Sequence, residues 1–163
     1  MESLALFGRI ALATLLAYLL GFFRSSQDRS FGAGRRTFSL VGMGAAAFTA
    51  LSWQKGELLG ASISGIAAGI GFLGAGVLTS RVQESRAGGR LATAASLWAA
   101  ASIGALVGTG RFLVATLSTG LAILVLVMED LPGLKNLDPG KLQSWLDRRR
   151  NATSSGDGSS VDS

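Results

Sequence analysis

Arg35-Arg36-Thr37 sets two adjacent guanidiniums before a hydroxyl at the expected start of a helix, and no other stretch of the chain combines those groups at such a place. A guanidinium can grip a carboxylate or phosphate with two parallel hydrogen bonds, which Lys cannot copy. The plainer role is a basic anchor at a membrane–water boundary with contact to phospholipid phosphate. A second pattern, Gly69-Ile70-Gly71-Phe72-Leu73-Gly74, spells G-x-G-x-x-G. A dinucleotide site needs a strand before it, a helix after it and an acid about 20 residues on. Here the run lies within an uncharged apolar stretch and positions 91–99 hold no acid, so the match reads as coincidence. Cys and His are absent. That excludes disulfides, thiolate or imidazole metal sites, and Cys–His or Ser–His catalysis. No acid, base and nucleophile converge, so neither an enzyme nor a bound cofactor or metal is expected.

The elements that position these residues follow from where the charges are not. Of 163 residues, 48% are apolar, 15% are charged and 23 are Gly. An average soluble domain has about 25% charged residues and about 7% Gly. Thr37–Gln54, Leu58–Ser80, Leu91–Thr109 and Phe112–Met128 carry no charge, and Leu4–Phe23 carries only Arg9. Each is close to the roughly 20 residues that cross the hydrocarbon core as a helix. None shows the polar stripe of a helix in a soluble bundle. The fold class is therefore all-α, a polytopic membrane bundle of five transmembrane helices. The first span starts Met1-Glu2-Ser3 with no basic residue, unlike a cleaved signal, and is expected to stay.

Three regions would share one side of such a membrane. They are the connector with Arg24, Arg29, Arg35 and Arg36, the connector with Arg81, Arg86 and Arg90, and the tail with Lys135, Lys141 and Arg148–Arg150. They hold twelve of the fifteen basic residues, and the other side holds Lys55 and Arg111. The positive-inside rule makes the basic side cytoplasmic, with the N-terminus outside and the C-terminus inside. The expected organisation is a membrane domain over 1–130, a short cytoplasmic amphipathic segment over 131–150 carrying Leu142, Trp145 and Leu146, and a disordered Ser/Gly-rich tail over 151–163.

Small residues recur every fourth position: Gly42, Ala46 and Ala50 in span two, Ala61, Gly65 and Gly69 in span three, Ser96, Ala100, Gly104 and Gly108 in span four. Such rows let helix backbones approach closely in lipid. Span three, with Gly65, Gly69, Gly71, Gly74 and Gly76, is expected to be the central helix of the bundle. Its other reading is a bent helix lining a path. Arg9 has two options, snorkelling to the outer interface, which is preferred, or pairing with backbone carbonyls. No span carries an Asp, Glu, Lys or His to relay protons.

The segment Ala33-Gly34-Arg35-Arg36-Thr37-Phe38-Ser39-Leu40-Val41 resembles the A-G-L-R-T-x-x-L-V segment of the MgtC/SapB family of bacterial membrane proteins. Gly44 to Thr49 is similar to its G-A-A-x-F, and Gly71-Phe72-Leu73-Gly74-Ala75-Gly76-Val77 to its G-F-L-G-A-G-V core. Thr93-Ala94-Ala95-Ser96-Leu97-Trp98 resembles T-A-A-x-x-W, and Ile103-Gly104 with Gly108-Thr109-Gly110 resembles I-G-x-x-x-G-x-G. The family commonly has Glu-Arg after its first span, where this chain has Phe23-Arg24. Its usual acid before span three and polar residue before T-A-A are also missing, and the soluble C-terminal domain of longer members is not expected. The resemblance points to Arg24, Arg36, Thr37, Thr93 and Trp98, with the glycines, as functional or packing positions. It implies a bacterial inner-membrane protein, non-enzymatic, linked in the family to low-magnesium adaptation and modulation of F-type ATP synthase. The alternative is a small oligomeric ion or solute channel or transporter lined by the Gly-rich third helix. Expected partners are membrane lipids and a membrane complex such as that synthase, with self-association left open and no nucleic acid.

Overall fold

In a computed structural model of the protein, residues 2–27, 33–55, 59–79 and 87–128 are described. They form five helices: α1 (Glu2–Gln27), α2 (Arg35–Lys55), α3 (Leu59–Thr79), α4 (Ala87–Gly108) and α5 (Phe112–Met128). The protein is an all-α bundle, and no strand occurs among the described residues. By length and composition α1, α3 and α4 can each cross a membrane. Helix α5 is equally apolar at 17 residues, and α2 has 21 residues but is less apolar. Close contacts group Met1–Leu126 as one unit and Val127–Ser163 as another. The segments 131–150 and 151–163 lie outside the described residues.

The packing differs from that of a soluble protein. Small side chains make up much of the interior: Ala13, Ala17, Ala46, Ala50 and Ala100 are fully buried, beside the larger Leu20, Phe38, Leu97 and Ile103. Many other large ones point outward, with Phe72 80% and Leu113 73% exposed. A soluble monomer rarely presents so much contiguous apolar surface, whereas lipid is its natural solvent. Helices α1, α2 and α4 pack closest. At their crossing, a Cβ added to Gly42 would meet the Ala17 Cβ at 2.5 Å and the Ala13 carbonyl oxygen at 3.1 Å. Gly104 lies directly against the Gly42 backbone, and Gly108 against Ala46 and Thr49. A Cβ on Gly21 would come within 2.7 Å of the Phe38 Cβ, so α1 and the start of α2 are equally close.

The expectation that the Gly-rich helix is central is corrected. Helix α3 is the least buried of the candidate spans, at 11% against 50% for α4. It packs on α4 through Ile66, Ile70 and Gly74, the last 3.6 Å from the Ala94 Cβ as judged by an added Cβ. No atom of another element lies within 4 Å of a Cβ built on Gly65, Gly69, Gly71 or Gly76. Helix α4 is the centre, because its small residues meet small residues on two neighbours. The G-x-G-x-x-G run lies wholly inside α3, where its amides are helical and no strand precedes it.

Two arginines on α1 hold both ends of α4. Arg9 donates from Nη1 to the Gly108 carbonyl at 3.2 Å and lies 5.9 Å from the centre of the Phe112 ring. It thus takes the second of its two options, pairing with a helix-end carbonyl where the helix dipole favours a cation. The α4–α5 turn there is a Schellman motif. Arg111 N–H bonds the Leu106 carbonyl and Gly110 N–H the Val107 carbonyl, each at 2.9 Å. Gly110 has φ +82°, a conformation that favours glycine.

Candidate functional site

The residues singled out from the sequence gather mainly at one end of the bundle, where α1 ends and α2 and α4 begin. Helix α1 runs past the expected end at Phe23 to Gln27, which puts Arg24 in its last turn. A cation there is favoured by the helix dipole. Arg24 is 5% exposed and Thr93 2%. The guanidinium donates from Nη2 to the Gly89 carbonyl at 2.7 Å and to Thr93 Oγ1 at 3.0 Å. Thr93 Oγ1 in turn donates to the Gly89 carbonyl at 2.9 Å. The hydroxyl therefore turns its proton to its own helix and a lone pair to Arg24, so one Thr serves both. Both acceptors are uncharged, and hydrogen bonds to a charged group are worth about 1.5–3 kcal/mol each.

The three residues Arg35-Arg36-Thr37 are at the start of α2 but do not act on one target. Gly34 caps the helix, its carbonyl accepting from Thr37 N–H at 2.9 Å. Arg35 turns toward α1, its guanidinium carbon 5.6 Å from the Phe22 ring centre. Thr37, half-buried, faces α3. Arg36 is exposed between them and makes no hydrogen bond to another described residue. At the facing end of α3, Arg90 Nη1 donates to the Leu78 carbonyl at 3.4 Å. One end of the bundle thus collects Arg24, Arg35, Arg36 and Arg90.

Between α2 and α3 the structure opens into an apolar groove of about 720 Å³, running from Thr37 and Leu73 to Phe48 and Ser62. Gly65 and Gly69 line it. At its far end Ser52 Oγ and Ser62 Oγ hydrogen-bond across the two helices. A smaller cavity of about 70 Å³ lies between α3 and α4, lined by Trp98, Ile63 and Ser102. Gly71 and Gly76 face outward, and Gly74 faces α4. Gly104 and Gly108 are at the α2–α4 contact, not near the basic end. Most span hydroxyls, including Thr49, Ser96, Ser102 and Thr119, bond carbonyls of their own helix. The Ser52–Ser62 pair and the Gly89 carbonyl escaped the sequence reading. The first carried a signal, as two hydroxyls near facing span ends, while a backbone carbonyl carries none. Among the described residues no group of three acids, His or Cys could hold a metal. The arrangement can bind an anion or order helix ends.

Residues 10–131 match the sequence model of the MgtC family. The chain is 36% identical over 138 residues to Protein SrpB of Synechococcus elongatus, covering 77% of this chain and 75% of that protein. It is 43% identical over 101 residues to Protein MgtC of Salmonella typhimurium, covering 61% of this chain and 42% of that protein. It is 39% identical over 118 residues to Protein MgtC of Brucella abortus, covering 71% and 48%. It therefore spans less than half the length of those two MgtC proteins. No solved structure matches the chain. With the matched region running from α1 through the last helix, the chain belongs to the MgtC family.

Proposed function

We propose that the protein is a non-enzymatic regulator or scaffold of a bacterial inner-membrane complex, acting through helix contacts, with its basic end toward the cytosol. The observation that carries this reading is the outward face of α3. Ser64, Ala68, Gly71 and Ala75 recur along one side of that helix and all are exposed. No atom of another element lies within 4 Å of a Cβ on Gly71. The small residues of α2 and α4 are consumed in packing each other, whereas this row is left for a partner helix, which a small-residue face accepts at close range. The family's link to F-type ATP synthase makes that enzyme's membrane sector the first partner to test. A pathway lined by α3 is less well supported, because α3 is the least buried of the candidate spans.

The test is co-purification from native membranes in mild detergent, scored for ATP-synthase subunits. Wild type is expected to retain a partner complex, and Gly71→Leu to lose it while expression and thermal stability stay unchanged. Equal retention by Gly71→Leu and wild type would remove α3's outer face from the interaction.

A further inference from the structure

We infer that the α2–α3 groove is a binding site for one acyl chain of an anionic phospholipid, with the headgroup phosphate held at the Arg36 end. The groove follows α2 from Thr37 to Phe48. About eleven steps of roughly 1.5 Å rise make it roughly 16 Å long. Half of a hydrocarbon core of about 30 Å is roughly 15 Å, so its length matches one leaflet. Its walls are apolar, with Leu40, Val41, Phe48, Ile66, Ile70 and Leu73 lining it.

The occupant is chosen by length and setting. The groove is open along its side, and the large side chains around it, Leu40, Phe48 and Leu73, are exposed. A lipid chain therefore reaches it from the surrounding leaflet without α2 and α3 parting, and gains dispersion contact along the depth of that leaflet.

Charge selects the headgroup. Arg36 lies one helical turn before Leu40 on the same edge of α2, so it stands at the groove mouth rather than over α1. Thr37, the next residue, lines the groove itself. On the α3 side, Arg90 reaches the Leu78 carbonyl at the same end. Two guanidiniums and the positive end of the α2 dipole thus flank the opening. The hydroxyls of Ser52 and Ser62 bridge the helices at the other end, where the chain terminus would stop. The room exists because Gly44, Gly65 and Gly69 have no side chain. Each would place a Cβ in open space, so the groove can be filled without disturbing the fold.

The experiment is native mass spectrometry of the purified full chain in detergent micelles, titrated with phosphatidylglycerol or phosphatidylcholine. Wild type is expected to bind one phosphatidylglycerol in preference to phosphatidylcholine. Gly65→Leu with Gly69→Leu is expected to abolish retention of both lipids at an unchanged lipid-free melting temperature. Arg36→Gln, a surface change with no packing role, is expected to lower phosphatidylglycerol binding about tenfold, the worth of one charge-assisted hydrogen bond, and to leave phosphatidylcholine unaffected. Undiminished lipid binding in the double Leu variant, or equal binding of the two lipids by wild type, would overturn the site. So would a dimer in wild type that the double Leu variant breaks, since the groove would then hold a second copy.

Discussion

Adding one methyl group at Gly104 tests the α2–α4 contact directly. A Cβ there would be driven into the Gly42 carbonyl, with the Gly42 carbonyl carbon and Cα each at 3.0 Å. These are backbone atoms of a helix that is itself held against Ala17, so no side chain can swing aside. Overpacking of a tight core costs typically about 1–3 kcal/mol. Against it, Ala is a better helix former than Gly by up to about 1 kcal/mol. Because the obstacle is backbone on both sides, the upper part of the range applies, and Gly104→Ala should destabilise by about 2 kcal/mol net. The same change at Gly65 meets nothing within 4 Å, so only the propensity gain remains and stability should hold or rise slightly. Thermal unfolding of purified protein in one detergent, followed by tryptophan fluorescence or circular dichroism, reads both. Opposite signs for Gly104→Ala and Gly65→Ala are expected. If the two variants melt together, or if Gly65→Ala is the weaker, helix α4 is not the packing centre and the reasoning fails.

Thr93→Val keeps the shape of the side chain but deletes the oxygen that accepts from Arg24 and donates to Gly89. It should cost about 1–3 kcal/mol in the same melt, and Thr93→Ser should recover most of it. A Val variant that melts with wild type would show that the Arg24–Thr93 bond contributes nothing. The chain has no cysteine, so Ser26→Cys and Gln54→Cys can report orientation singly. In intact cells an impermeant thiol reagent should label Gln54→Cys and spare Ser26→Cys, and the reverse pattern would invert the proposed topology.

The helices were legible because charge is excluded from lipid. Helix α5 coincides with its expected span, Phe112–Met128, since Arg111 and Glu129 bracket it. Helix α1 overruns its expected end by a turn for the same reason read too strictly. Arg24 looked like the first interfacial charge, but a buried carbonyl and hydroxyl on α4 let it remain in the helix. The placement of α3 was not legible. Its rows of Gly and Ala have the same spacing as those of α2 and α4, and spacing states only that a helix can be approached closely. What separates the rows is the opposing surface. Gly42 faces Gly104 and Ala46 faces Gly108, small against small. Gly65 and Gly69 face Leu40, Val41 and Phe48 across a gap. Complementarity of that kind is a property of two segments, and one segment's period does not encode it. For the candidate site, the sequence singled out Arg24, Thr93, Arg36 and Thr37, and only the fold joins the first two and sets Thr37 in the wall of the α2–α3 groove.

The unequal attachment of the helices follows from the same chemistry. Between helices in lipid there is no hydrophobic drive, so packing and hydrogen bonds must hold them. Helix α4 has both: small residues against α1 and α2, and a guanidinium from α1 at each end. Arg9 and Arg24 are fifteen residues apart, about 22 Å along α1, so the two contacts span most of the hydrocarbon core and resist tilting of α1 against α4. Helix α3 lacks such a pair. It rests on α4 through aliphatic contacts and one bond from Arg90 to the Leu78 carbonyl, and Ser62 bonds Ser52 of α2 near the other end. The α2–α3 groove runs to Thr37 and Leu73 at the opposite end, beside Arg36 and Arg90. One mouth of the groove thus lies where positive charge is greatest. That coincidence is what makes the α2–α3 opening, rather than the tightly closed α1–α2–α4 contact, the place where an outside molecule can enter the fold.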